Sequence, residues 1–193
     1  MDTLWLHIVQ WLHTVGLHID GGTARAVGDA AANATAQLDM PSLLALAAAL
    51  GWASGFRLYA VVFLVGMMGV LGWMPLPPGL AVLQSPLVLM VSGALLVVEF
   101  FADKVPWVDS AWDAMNAFIR VPAGAALAYG VFGADNAAMA VVAGLLGGSL
   151  SATALATKMA TRAAVNTSPE PFSNWGLSFF EDGLVVAVVW LAT

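Results

Sequence analysis

Five long runs of apolar residues, separated by short polar and proline-rich corners, constrain this chain more than any other feature of its sequence. They cover residues 43–73, 87–101, 118–132, 137–164 and 175–191. A helix needs about 20 apolar residues to cross the hydrocarbon core of a bilayer, and several runs approach or exceed that length. Because the runs are continuous rather than alternating, they favour transmembrane helices over a β-barrel. The sequence therefore predicts an all-α, polytopic helical membrane protein.

The composition agrees with this prediction and excludes several other classes. Apolar residues make up 61% of the chain and charged residues only 9%, whereas a soluble domain is about 45–50% apolar and about 25% charged. The chain has no basic tract, so nucleic acid is not expected as a partner. It also has no cysteine, which excludes disulfides, thiolate metal ligands and cysteine nucleophiles.

The sequence divides into two predicted parts. Residues 1–40 hold a segment from Leu4 to Ile19 whose apolar stripe suits a helix lying in the membrane interface, followed by a polar, alanine-rich tether. Residues 41–193 form the predicted transmembrane domain. Five single crossings would place all but one of the cations on the N-terminal side, namely Arg25, Lys104, Arg120, Lys158 and Arg162. The positive-inside rule then predicts a cytoplasmic N-terminus.

Small-residue interruptions predict that some of the helices are broken. The segment from Gly51 to Arg57 interrupts the first apolar run, which is too long for one straight crossing. The run could therefore be a broken helix, or a re-entrant turn followed by a span. A second interruption runs from Gly147 to Ser151 in the fourth run. If residues 42–106 and 137–192 are two-helix repeats joined by a helix at 113–133, the two halves have inverted topology, as in many small transporters.

The few charged residues mark candidate functional positions, because a charge at the centre of a bilayer costs about 2.5–3.5 kcal/mol by insertion scales. The densest group surrounds Pro106, and its candidate binding residues are Glu99, Asp103, Lys104, Asp109, Asp113 and Arg120. A spacing of four residues puts the first two acids on one helical face and Asp109 with Asp113 on another.

These paired acids have several chemical uses. They could bind a proton, a cationic solute or a divalent cation, with Asp103, Asp109 and Asp113 as the metal ligands. The alternative is a salt-bridge network that fixes a helical corner. The sequence names no cofactor, and it leaves open whether a divalent cation is needed.

Two further polar groups lie at the end of the fourth run and within the fifth. Lys158, Arg162 and Asn166 recur every four residues, and could bind a phosphate or a carboxylate or snorkel towards the membrane surface. Glu181 and Asp182 are adjacent, and adjacent carboxylates inside a terminal helix are costly unless they are paired or line water. These two acids are the strongest single indication of function in the sequence.

Arg57 lies deep within the first apolar run, where a cation needs an acidic partner. The candidate partners are Glu99, Asp103, Glu181 and Asp182. Free backbone amides at a helix break could also bind an anion, whereas the simpler alternative is close helix packing through glycine and serine.

Several motifs combine these polar positions with glycine, proline and aromatic residues. They are Gly-x-x-Ser-Gly-x-Arg-x-Tyr at 51–59, Glu-Phe-x-Ala-Asp-Lys-x-Pro-x-x-Asp-x-x-Trp-Asp at 99–113, and Asn-x-Ser-Pro-Glu-Pro with Ser-x-x-Glu-Asp at 166–182. The chain from about Leu43 to its C-terminus thereby resembles an uncharacterised family of small bacterial integral membrane proteins, known by a domain of unknown function. The resemblance implies a location in the bacterial inner membrane and implies no activity.

Three hypotheses for function follow from the charges. The leading one is a small secondary transporter or channel-like carrier of a small polar or ionic solute, in which the acids bind the coupling ion and the cations balance them. The second is a membrane-embedded, metal-dependent enzyme acting on a lipid head group or phosphate ester, with Lys158 and Arg162 holding the phosphate. The third is a membrane scaffold subunit whose charges pair with a partner.

The expected partners are the lipid bilayer and the small solute. Small residues at Gly144, Gly147, Gly148 and Ser151 would also allow a homodimer, and would equally serve packing within one chain. No Walker, HExxH or GxSxG motif is present, so ATP-driven transport by this chain alone and the familiar hydrolase sites gain no support.

Overall fold

The computed structural model describes residues 39–105, 107–133, 136–167 and 171–192. This described part contains five α-helices, one short 3₁₀ helix and no strand. The elements are α1 (Met40–Val70), the 3₁₀ helix (Pro78–Gln84), α2 (Pro86–Ala102), α3 (Val108–Phe132), α4 (Ala137–Asn166) and α5 (Pro171–Ala192). The predicted interfacial helix from Leu4 to Ile19 and the cation Arg25 lie outside the described residues.

Three of these helices are long and apolar enough to cross a membrane. They are α1, α4 and the Trp175–Ala192 part of α5. A fourth crossing results if the 3₁₀ helix and α2, which are bent by 67° at the break between them, form one broken span. The prediction of an all-α helical membrane protein is confirmed, with three or four candidate spans in place of five single crossings.

Two helices begin at residues that are well suited to start them. The Asp39 carboxylate accepts a hydrogen bond from the Ser42 N–H at 3.0 Å, and the Ser85 hydroxyl oxygen accepts one from the Val88 N–H at 3.3 Å. These side chains cap α1 and α2 by satisfying N–H groups that have no partner within the helix. A proline follows each cap within the first turn, where the missing N–H has no cost.

The central helix, α1, contacts every other described helix and is kinked at Arg57. The backbone there has φ −146° and ψ 80°, which is not helical, so the interruption predicted in the first run is a break within one helix. The interruption predicted in the fourth run is wrong, because Gly147 and Gly148 lie inside α4, which is continuous from Ala137 to Asn166. The inverted repeat, which relied on both interruptions, stays a prediction.

Small residues set the close approach of α1, α3 and α4. A β-carbon on Gly51 would overlap the backbone of Gly147, and one on Gly124 would lie 2.5 Å from the Ser54 hydroxyl oxygen. Membrane helices associate through such close packing because lipid removes the hydrophobic drive between them. The face of α4 that carries Gly147 therefore packs within the chain, which is one of the two uses predicted for it.

A buried charge network as the candidate functional site

Ten charged side chains, contributed by all five α-helices, form one connected set of ion pairs. We call this set the charge network, and its members are Arg57, Glu99, Asp103, Asp109, Asp113, Arg120, Lys158, Arg162, Glu181 and Asp182. Nine of these side chains are at most 3% exposed, whereas Asp182 is 27% exposed. With six acids and four cations, the fully ionised network would carry two net negative charges.

Arg57 connects the kink of α1 to α2 and α5. Its Nη2 lies 2.7 Å from Asp103 Oδ2 and donates to the Ser178 hydroxyl at 3.0 Å. Its Nε lies 2.8 Å from Asp182 Oδ1. These two atoms form an ion pair but no hydrogen bond, because the Nε–H does not point at the carboxylate. The prediction that Arg57 needs an acidic partner is thus met by two of its four candidates.

Lys158 brings α4 against the kink of α1. Its Nζ lies 3.0 Å from Asp113 Oδ1 and 3.5 Å from Asp103 Oδ2. It also donates to the Phe56 carbonyl at 3.2 Å, and Phe56 directly precedes the non-helical Arg57. The ammonium group therefore binds the backbone at the point where α1 bends, so the charge network and the kink are physically linked.

Arg162 joins α4 to α5 and to the turn after α2. Its guanidinium pairs with Glu181 through Nη2 at 2.6 Å and Nε at 3.4 Å, and its Nη1 donates to the Asp103 carbonyl at 2.8 Å. Asn166, one turn further along α4, donates to the Asp109 carboxylate at 3.2 Å. The predicted stripe on α4 therefore faces carboxylates, which is one of the ligands predicted for it.

Arg120 pairs with two buried acids of the network. Its Nη1 lies 2.6 Å from Asp113 Oδ1, and its Nη2 forms a short ion pair with Glu99 Oε1. Its backbone carbonyl accepts a hydrogen bond from the buried Ser151 hydroxyl at 3.0 Å. We call Glu99, Asp113 and Arg120 the inner cluster.

Lys104 lies at the margin of the network, next to Asp182 and Arg57 but outside the set of ion pairs. Its Nζ donates to the Phe100 carbonyl at 3.0 Å, and stands 3.0 Å from the centre of the Phe100 ring and 4.9 Å from that of Phe179. It forms no direct salt bridge with a described acid. We call Arg57, Asp182 and Lys104 the outer edge of the network.

The turn between α2 and α3 brings Asp103 and Asp109 to the same guanidinium. Trp107, within this turn, has φ 70°, a left-handed conformation that bulky side chains rarely adopt. Such strain persists only where surrounding contacts enforce it, and it is common at functional sites. Here the turn places Asp103 Oδ2 3.7 Å and Asp109 Oδ2 3.8 Å from Arg162.

Two polar residues at the site were missed as site residues from the sequence. Ser178 accepts from Arg57, and the Tyr59 hydroxyl donates to Asn116 Oδ1 at 2.5 Å. Both lie in the motifs that carry the family resemblance, Tyr59 two residues after Arg57 and Ser178 three residues before Glu181. Their place in those motifs could have identified them.

Four carboxylate oxygens of the network have no hydrogen-bond partner among the described residues. They are Glu99 Oε2, Asp103 Oδ1, Asp113 Oδ2 and Asp182 Oδ2. Buried polar atoms are normally hydrogen-bonded, so these oxygens have the capacity to bind a proton, a water molecule or a cation.

The predicted metal ligands gain no support from the described residues. No group of three or more histidine, aspartate or glutamate side chains in the described ranges is arranged to hold a metal ion. Asp103, Asp109 and Asp113 instead each face a cation of the network, as their ion pairs with Arg162, Lys158 and Arg120 show.

Fold and site together define the class: a helical membrane protein whose few charges are gathered into one buried ion-pair network. The chain belongs to the DUF4126 family, a domain of unknown function whose family model matches residues 44–193. This match confirms the resemblance to a family known by a domain of unknown function, and it takes in the whole charge network. No curated protein and no solved structure matches the chain.

Proposed function

We propose that the protein is a small secondary carrier of a small polar or ionic solute, with proton binding at the charge network as the coupling step. One observation carries the proposal: six carboxylates face four cations in a site that is almost entirely removed from water. Two bound protons would make these ten side chains neutral, and one would suffice if the adjacent Lys104 ammonium group is counted with them.

The charge imbalance matters because of where it lies. An ionised carboxylate is expensive to bury unless it is fully paired, and a buried group without a partner neutralises instead. The four carboxylate oxygens without hydrogen-bond partners provide the places where protons can bind. A site that gains and loses protons is the chemical requirement for proton coupling.

The network reaches the protein surface at one of its members. Asp182 alone has an appreciably exposed side chain, and it pairs with Arg57. Arg57 in turn contacts Asp103, which lies 3.5 Å from Lys158. Protonation at the outer edge would therefore change the charge balance at the kink of α1.

Coupling further requires that the site be linked to a movable element. The network joins all five described α-helices, and Lys158 binds the backbone at the kink through the Phe56 carbonyl. A kinked helix can adopt two arrangements, and a proton that binds one of them better shifts the population towards it. This linkage supports a carrier in preference to a static pore.

A structural role is the second candidate, and one observation favours it. Every cation of the network is already paired within the chain, as expected of charges that hold helices together. The enzyme hypothesis has less support, because Lys158 and Arg162 are bound to carboxylates and would have to leave them to hold a phosphate. A scaffold role predicts that neutralising Asp182 changes stability alone.

We further infer a bacterial inner-membrane location with a cytoplasmic N-terminus. The location follows from the family resemblance. Fewer cations support this orientation than were counted from the sequence. Arg120, Lys158 and Arg162 are buried and paired within the protein, so they do not report which side of the membrane they face. Among the cations counted, Arg25 and Lys104 remain as those that support it.

The proposal is tested with protein reconstituted into liposomes that enclose a pH-sensitive dye. Amino acids, organic amines, carboxylates and inorganic ions are added in turn, and we expect one class to change the internal pH. Asp182→Asn should abolish the response. Asp39→Asn is the matched control, because it makes the same change at an exposed cap outside the network. Equal responses from both variants would contradict the proposal.

A further inference from the structure

The ammonium group of Lys104 occupies an aromatic and acidic environment that the proton-coupling proposal does not use. It stands over the Phe100 ring at 3.0 Å and near the Phe179 ring at 4.9 Å. Cations within about 6 Å of an aromatic ring centre are attracted by the negative face of the ring. The site therefore holds a cation by means other than a salt bridge.

The two rings come from different helices and are held together by their own contact. Phe100 on α2 and Phe179 on α5 have ring centres 6.3 Å apart and planes inclined at 67°, an edge-to-face arrangement. Such pairs are favourable beyond the area that they bury. The environment of the cation is thus built from two helices that the network also joins.

Charged groups of both signs lie near this environment, namely the carboxylates of Asp182 and Asp103 and the guanidinium groups of Arg57 and Arg162. Asp182, on α5, interacts electrostatically with Lys104, and its Oδ2 has no hydrogen-bond partner among the described residues. Its side chain is 27% exposed at the protein surface, whereas the other acids of the network are buried. Two ring faces, a backbone carbonyl from Phe100 and an available carboxylate are the groups with which proteins bind organic ammonium ligands.

We propose that this edge is a binding site for a small organic ammonium ion, and that Lys104 is its internal competitor. The lysine side chain has a flexible four-carbon stem, so its ammonium group can leave the rings when another cation arrives. The inference rests on the proposed function for its biological purpose, because it names the class of solute carried. The binding itself requires no transport.

A lysine that served only to balance charge would look different. It would form a direct salt bridge with one of the acids beside it, as Lys158 does with Asp113 at 3.0 Å. Lys104 instead donates to a neutral carbonyl and lies against two rings, although Asp103 is its neighbour in sequence. Its position therefore matches that of a bound organic cation more closely than that of a structural counter-ion.

The test is calorimetric binding of tetramethylammonium to the purified full-length protein in detergent, without a pH gradient. Lys104→Met keeps the length of the side chain and removes the competing charge, so we expect affinity to rise about tenfold, equivalent to about 1.4 kcal/mol. The neutral molecule tert-butanol, of similar shape, should show no such gain.

Phe179→Leu in the Lys104→Met background should remove the gain. Phe180→Leu is the matched control, since Phe180 is the adjacent phenylalanine on α5, is 65% exposed and contributes no ring to Lys104. A gain that survives Phe179→Leu would overturn the proposal, as would the absence of any gain in Lys104→Met.

A second measurement on the unmodified protein covers the case in which a variant fails to fold. Tetramethylammonium should raise the rate at which an amine-acylating reagent labels Lys104, because the displaced amine enters water. An unchanged labelling rate would overturn the proposal. Ammonium binding without pH-coupled flux would leave this site standing and reject the proposed function. Coupled flux of a solute without any ammonium binding would do the reverse.

Discussion

The inner cluster and the outer edge of the charge network contain the same kinds of side chain in different surroundings. In the inner cluster, Glu99, Asp113 and Arg120 are at most 1% exposed and form two direct ion pairs. At the outer edge, Asp182 is 27% exposed, and Lys104 binds aromatic rings in place of an acid. Charge type alone therefore does not determine what a charged residue does in this protein.

The surroundings explain the difference. Removing one partner of a fully buried pair leaves an uncompensated charge, which costs about 3–5 kcal/mol, whereas water screens a partly exposed pair and makes its loss cheap. A buried cluster is consequently suited to holding helices in register. An accessible edge is suited to exchanging protons or ligands, because its pairs can open at small cost.

The largest expected effect comes from breaking the inner cluster. Arg120→Met leaves the buried Glu99 carboxylate without its cation and Asp113 with Lys158 alone, and should lower the free energy of unfolding by about 3–5 kcal/mol. Unfolding in detergent, followed by circular dichroism, measures this. The control is Arg120→Met combined with Glu99→Gln, which removes the stranded charge and should recover part of the loss. A single variant as stable as the unmodified protein would show that the inner cluster is not structural.

The packing around the inner cluster provides the next largest effect. Gly124→Ala would put a β-carbon 2.6 Å from Ser151 Cβ, next to the hydroxyl that binds the Arg120 carbonyl, and should cost about 1–3 kcal/mol. Gly183→Ala, beside Asp182 on α5, meets no atom within 4 Å and should be neutral or stabilising by up to about 1 kcal/mol. The same unfolding measurement compares them. If Gly124→Ala and Gly183→Ala lowered the free energy of unfolding equally, the proposed contrast between a close-packed interior and an open edge would be wrong.

At the outer edge we expect a small change in stability and a large change in activity. Asp182→Asn should lower the free energy of unfolding by less than about 1 kcal/mol, because its partner Arg57 keeps its ion pair with Asp103. In the liposome assay the same variant should lose the pH response. A variant that is strongly destabilised, or that responds normally, would assign Asp182 to the structural part of the network.

The smallest expected effect lies outside the network, at the cap of α1. Hydrogen bonds from the side chain and backbone of Ser42 lower the pKa of Asp39 below its usual value of 3.8. Because the pKa is lowered, the cap contributes most to stability at a pH above the pKa that Asp39 has in the unfolded chain. This contribution to stability is lost as the pH falls through the lowered pKa of the folded protein. The Tm of the unmodified protein should therefore approach that of Asp39→Asn in acid. A difference in Tm that is independent of pH would contradict this account.

The sequence predicted the class of fold better than it predicted the boundaries of the helices. The apolar runs identified membrane helices because lipid requires long apolar segments. The apolar run began the third element at Phe118 and the repeat hypothesis put its helix at 113–133, whereas α3 begins at Val108. The part of α3 before Phe118 carries Asp109 and Asp113, which face buried cations. A helix whose polar face is turned inward does not show the apolar pattern expected of a membrane helix.

The pairing of charges could not be obtained from the sequence. Spacing placed Lys158, Arg162 and Asn166 on one face, and the structure confirms that all three turn towards the acids. Which acid pairs with which cation depends on how five helices pack, and that packing depends on contacts such as Gly51 with Gly147. Local sequence patterns carry no information about such distant contacts.

The central claim is that the charge network holds protons that can be exchanged. Infrared difference spectroscopy of the reconstituted protein, between mildly acid and mildly alkaline pH, detects protonated carboxyl groups by their carbonyl stretch. The account predicts a protonated carboxyl band in the unmodified protein and in Asp39→Asn that is reduced in Asp182→Asn. A spectrum without any protonated carboxyl group, or one that Asp182→Asn leaves unchanged, would contradict the claim and favour a purely structural network.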